Sequence, residues 1–147
     1  MRYLGLLLLA SLLYPNMETI LMAQQHPSLT IVRLYTGPDG LSHFEHTNVK
    51  FAQVPGWSGI EESEPVATAK SYLVRTHPGY FSDWHNADVR RYVITISGRA
   101  EIEVAGGQKF VAQPGEVVLA EDLTGKGHTF RVLGDQDWVA MFVDIGK

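Results

Sequence analysis

From Ser28 onward this sequence is cut into short β-prone runs by turn residues, and that punctuation constrains its fold more than any other feature. Residues 30–36 read Thr-Ile-Val-Arg-Leu-Tyr-Thr, rich in β-branched and aromatic side chains, and stop at Gly37-Pro38-Asp39-Gly40. A second extended stretch is expected over 44–54 and a loop over 55–65, where Gly56 and Gly59 sit among acids and serines. Residues 68–76 read as a strand, and His77-Pro78-Gly79-Tyr80 as a turn. Residues 91–97 form another strand that ends at Gly98. In 100–104 the alternation is strict, with Ile102 and Val104 on one face and Glu101 and Glu103 on the other. Gly106-Gly107 signals a hairpin and Pro114-Gly115 a turn; strands are expected over 116–120, 128–133 and 138–145. No window beyond residue 28 carries a capped apolar period of 3.6 residues. Short strands at regular turn spacing predict an all-β sandwich or barrel.

The 147 residues suffice for one ordinary domain and are too few for two cores. A net charge of −4 offers no basic field for nucleic acid, and the adjacent Arg90 and Arg91 fall far short of a phosphate-tracking stripe. With no cysteine, disulfides, thiolate zinc sites and a cysteine nucleophile are excluded.

Residues 1–23 read differently. Arg2 precedes an almost wholly apolar run from Tyr3 to Tyr14, and Pro15 and Asn16 break it. The run matches the core of an export signal and is well under the ~20 residues that span a bilayer. The expectation is a signal-like segment over 1–23, a single domain over 28–147, no membrane span and a periplasmic or secreted protein. The alternative is a cytoplasmic protein whose translation starts at Met17 or Met22.

Two segments resemble the paired motifs of the cupin superfamily. The first family motif runs glycine, five residues, histidine, one residue, histidine, three or four residues, glutamate, six residues, glycine. Gly79, His85 and Gly98 fill their slots here, whereas the second histidine slot holds Ala87 and the glutamate slot holds Arg91. The second motif is matched by Gly115 and His128, with a longer intervening loop, Glu121 where a proline is usual and Val132 where an asparagine is usual. The runs 33–40 and 83–87 are also similar to a subgroup of small bacterial cupins. The resemblance implies an antiparallel jelly roll, or double-stranded β-helix, the cupin barrel, that binds a small molecule and forms a homodimer.

A complete cupin site holds Fe, Mn, Zn or Ni through three histidines and a glutamate. Here the resemblance leaves His85 and His128 as metal ligands, with His77, Asp83, Glu121 and Asp122 as the donors that could complete the set. A guanidinium at the glutamate slot repels a cation and cannot become a ligand. The expectation is therefore no cofactor, with a divalent metal as the alternative. Without a metal, His85 and His128 would share acid–base catalysis, because imidazole titrates near neutral pH. Arg91 would orient an anionic ligand group, and Tyr72, Trp84 and Tyr92 would contact the substrate. His26, His43 and His46 lie outside both motifs and read as ordinary polar positions. Three functions remain open from sequence: a metal-independent isomerase, epimerase, dehydratase or lyase; a non-catalytic ligand-binding module; and a metal-dependent dioxygenase.

Overall fold

The computed structural model describes residues 28–146, so the signal-like segment over 1–23 lies outside the described residues. Twelve strands follow in order: β1 (Thr30–Thr36), β2 (Ser42–Asn48), β3 (Ala52–Gln53), β4 (Glu61–Glu62), β5 (Thr68–Thr76), β6 (Phe81–His85), β7 (Arg91–Ser97), β8 (Arg99–Val104), β9 (Lys109–Ala112), β10 (Val117–Glu121), β11 (His128–Leu133) and β12 (Trp138–Ile145). Among the described residues there is no helix, and none long and apolar enough to cross a membrane.

The eight strands from β5 to β12 carry the architecture. One sheet contains the order β10-β7-β12-β5 and the other β6-β11-β8-β9, all antiparallel. The chain therefore crosses between sheets at β5–β6, β6–β7, β7–β8, β9–β10, β10–β11 and β11–β12. Two interlocked Greek keys wired this way are a jelly roll. β1 and β2 extend the larger sheet beyond β10, giving six strands, and β1 runs parallel to β10. The sheet is thus mixed rather than wholly antiparallel. The two sheets face each other as separate ladders, as in a jelly roll.

Side-chain alternation decides what lies between them. Val32, Leu34 and Val118 from the larger sheet meet Ile102 and Val104 from the smaller one in a buried cluster. Ala100, Val132, Trp138 and Ala140 form a second cluster. Each fully buried Val, Leu or Ile contributes roughly 1.5–3 kcal/mol of transfer free energy. Glu101 and Glu103 point outward as the alternation of β8 requires, and both pair with Lys109.

The boundaries differ from the sequence reading in three places. The stretch expected over 44–54 is β2 followed by a break and the short β3. The expected loop over 55–65 contains β4, which pairs with β3. β6, which carries His85, was not expected as a strand; β9 is the return strand of the hairpin signalled at Gly106-Gly107.

Candidate functional site

Between the facing sheets lies a cavity of about 450 Å³. Its walls are mostly apolar, with Phe130, Trp138 and Phe142 supplying aromatic surface and Leu34, Val74, Val93, Ile102 and Val118 supplying aliphatic surface. Polar side chains gather where β6 ends and β7 and β11 begin: His85, Asn86, Asp88, Arg91 and His128.

The two histidines meet because β6 and β11 are hydrogen-bonded neighbours and His85 stands opposite His128 in register. Their ring centroids are 4.4 Å apart. Gly127 makes that approach feasible. It sits at φ +75°, and a methyl group there would collide with the carbonyl of His85. Only glycine combines the positive φ with so close a backbone crossing.

Each ring is anchored through Nδ1, by different means. His128 is buried, and its Nδ1 lies 2.7 Å from Oδ2 of Asp122. Asp122 is fully buried and also accepts a 2.9 Å hydrogen bond from the Ser42 hydroxyl. His85 is more exposed; its Nδ1 lies 2.7 Å from the Asp83 carbonyl and 3.2 Å from Ser82 Oγ. A backbone carbonyl only accepts, so His85 Nδ1 carries the proton, and a carboxylate imposes the same tautomer on His128. In the neutral rings both Nε2 atoms are then lone-pair acceptors. Asn86 steadies the corner by donating to the carbonyls of Asp122 and Thr124 at 3.1 and 2.7 Å.

Arg91 is buried at the same end of the cavity, with Nε 2.9 Å from Asp144 Oδ1 and Nη2 3.0 Å from Asp88 Oδ1. Its guanidinium carbon lies 5.0 Å from the Phe142 ring centroid. The contact with Asp144 is close but poorly aligned, so Arg91 Nε and Asp144 Oδ1 both lack a well-formed hydrogen bond. Two carboxylates already balance the arginine. An anionic ligand group oriented by Arg91 would compete with these carboxylates for the guanidinium, and Asp144 is also shared with Lys70 at 3.4 Å.

The three aromatic residues expected to touch substrate do not line the cavity. Trp84 and Tyr92 are sequence neighbours of His85 and Arg91, so strand alternation turns them to the outer faces. Trp84 stacks under Lys126, whose Nζ is 4.2 Å from its ring centroid. Tyr72 packs on Phe142 with centroids 5.6 Å apart and contributes no cavity wall. The aromatic wall is built instead by Phe130, Trp138 and Phe142, which the sequence reading had not singled out.

The residues present do not fit the three-histidine, one-glutamate metal set. The second histidine slot is Ala87, and Arg91 at the carboxylate slot is turned to Asp144. The other candidate donors are engaged: His77 with Asp137 at 2.9 Å, Asp83 with the Trp84 amide at 2.8 Å, and Asp122 with His128 and Ser42. Glu121 bonds Arg33 and Arg90. Among the described residues no three His, Asp or Glu side chains gather as a metal-binding group.

No family model matches the chain, and no curated protein matches it. Among solved structures, it is similar to a cupin-2 domain containing protein from Shewanella frigidimarina at 19% identity. That alignment covers 52% of this chain and 69% of the other, with a TM-score of 0.40. It is also similar to a cupin-like protein from Thermotoga maritima at 18% identity, over 74% of each chain, with a TM-score of 0.43. The jelly-roll wiring is read from the strand order above.

Proposed function

We propose that the cavity binds a small, uncharged, mainly apolar molecule bearing at least one hydroxyl or carbonyl group, and that His85 and His128 move a proton on it. The observation that carries this reading is the paired anchoring of both imidazoles through Nδ1, which leaves the Nε2 lone pairs unused on two rings 4.4 Å apart at the polar end of an otherwise apolar space. A volume of about 450 Å³ suits a metabolite-sized ligand. The Asp122 carboxylate stabilises the imidazolium of His128 once it has taken a proton, and His85 lies close enough to exchange with the same ligand. The reaction class is proton transfer of the isomerase, epimerase, dehydratase or lyase kind.

The test is chemical-shift mapping of the protein with matched pairs of small aromatic alcohols and carboxylates, followed by solvent-deuterium exchange into whichever compounds bind. The account expects the alcohols to perturb His85, His128 and Phe130, with deuterium incorporation lost in His128→Ala. Binding without exchange would make the protein a non-catalytic ligand carrier. Preference for the carboxylates, or shifts that avoid both histidines, would refute the reading.

A further inference from the structure

The cavity is longer than it is wide, and polar side chains line both of its ends. Along the larger sheet the register stacks its wall in layers: Arg91 beside Asp144, then Val93 beside Phe142, and last Thr76 beside Trp138. Facing them, β6 starts just after Tyr80 and ends at His85, and both of these residues line the cavity. Those five residues advance about 17 Å, at about 3.4 Å each. The volume of about 450 Å³ spread over that length leaves a mean cross-section of about 26 Å². Carbon atoms pack about 4 Å apart, so one polymethylene chain needs roughly 20 Å². A single extended chain fills the space, and a fused ring system does not. The end away from the histidines is lined by Thr76, His77 and Tyr80, of which the last two are exposed. Arg75 is balanced there by Asp137 at 3.6 Å, so that end calls for a hydrogen-bonding group rather than a charged one.

We propose that the ligand of this cavity is an unbranched, uncharged chain of about ten to twelve carbons with a polar group at each end, spanning from the histidine pair to Thr76 and Tyr80. The inference deepens the proposed function and rests on it for which end reacts. A hydroxyl or carbonyl lies at the imidazoles, and the stem runs along Phe142, Phe130 and Trp138. A second hydroxyl meets the hydroxyls of Thr76 and Tyr80 at the other end. The carbon count follows from the length, because a carbon–carbon bond of about 1.5 Å advances an extended chain by roughly 1.3 Å. Both ends need a polar group, since a chain with only one would leave an apolar terminus among exposed polar side chains. The stem supplies the affinity, as each buried methylene tightens binding by up to about fourfold. The two ends set its register.

The experiment titrates the full chain with a ladder of α,ω-alkanediols, from about four to about fourteen carbons so as to bracket the cavity length. A decalin alcohol serves as the fused-ring comparison, and the side-chain resonances of His85, His128 and Tyr80 are followed. The inference expects affinity to rise by up to about fourfold per methylene. It expects the rise to level off beyond about twelve carbons. At that length one diol shifts both histidines and Tyr80 together, which short diols do not. Thr76→Trp, which fills the far end, should flatten the rise with length; should that variant fold poorly, the wild-type ladder decides alone. Affinity independent of length, or a decalin alcohol bound as tightly as the best diol, would overturn the inference. The proposed chemistry fails separately. Long diols that span the cavity, with no solvent-deuterium exchange into the corresponding hydroxyketones, uphold the chain-shaped ligand and remove the proton transfer. Exchange into a short ketone, with no dependence of binding on length, upholds the chemistry and overturns the inference.

Discussion

Two polar corners meet at the same end of the cavity, and they are built in opposite ways. In the histidine corner every link is aligned: Ser42 donates to Asp122, Asp122 holds His128, and the Asp83 carbonyl holds His85. In the arginine corner the charges are equally close, yet Arg91 Nε and Asp144 Oδ1 miss each other as hydrogen-bond partners. Asp122 accepts both bonds on Oδ2, and two aligned bonds to one buried oxygen orient what they touch, whereas a close but misaligned ion pair supplies charge without direction. The histidine corner therefore fixes the direction of its rings, and the arginine corner, whose Arg91 Nε and Asp144 Oδ1 are buried, contributes charge balance and stability.

Mutations at the two corners separate these roles. Asp122→Ala strands the buried His128 and Ser42 and is expected to cost roughly 3–5 kcal/mol in denaturant unfolding. Arg91→Met leaves Asp144 buried without its main counter-charge, at about 3 kcal/mol, and Arg91→Met combined with Asp144→Leu should recover most of that loss. An Asp122→Ala variant as stable as wild type would break the contrast between the corners. Gly127→Ala forces a side chain into a positive-φ position against His85 and should cost about 1–3 kcal/mol. Its sharper signature is loss of the through-space contact between His85 and His128 in NMR spectra.

The smallest expected effect lies outside both corners and concerns acid. Burial alone would raise the Glu121 carboxyl, but hydrogen bonds from Arg33 and Arg90 hold it below its ordinary value of 4.5. Because the folded value is the lower one, this stabilisation is complete above the unfolded value of 4.5. It is lost as pH falls through the folded value. Glu121→Gln should therefore lower the melting temperature at neutral pH and flatten its decline in acid. An unchanged acid slope would show that Glu121 is not a source of that decline.

The strands that were legible in the sequence are those with β-branched runs between turn residues, such as β1, β7, β8 and β12. β6 was not, because Phe-Ser-Asp-Trp-His is short and carries three polar side chains; pairing with β11 makes it a strand. The meeting of His85 and His128 was legible through the glycine spacing of the two motifs. Asp122 lies only six positions before His128, but its burial and the bond it accepts from Ser42, 80 positions away, are made by the fold and were not legible. The outward turn of Trp84 and Tyr92 was available from sequence: once His85 and Arg91 face inward, alternation sends their neighbours out. The phenylalanines and Trp138 of the wall carried no local signal separating them from ordinary core residues.

The central claim is that both imidazoles are fixed by Nδ1 and offer Nε2 to the cavity. Nitrogen-15 NMR of the histidine side chains in the full chain, at a pH above about 8 where model imidazoles are neutral, reads this directly. The account predicts that His85 and His128 both carry their proton on Nδ1, and that Asp122→Asn removes this preference at His128 alone. A proton resident on Nε2 of either ring in the wild-type protein would contradict it.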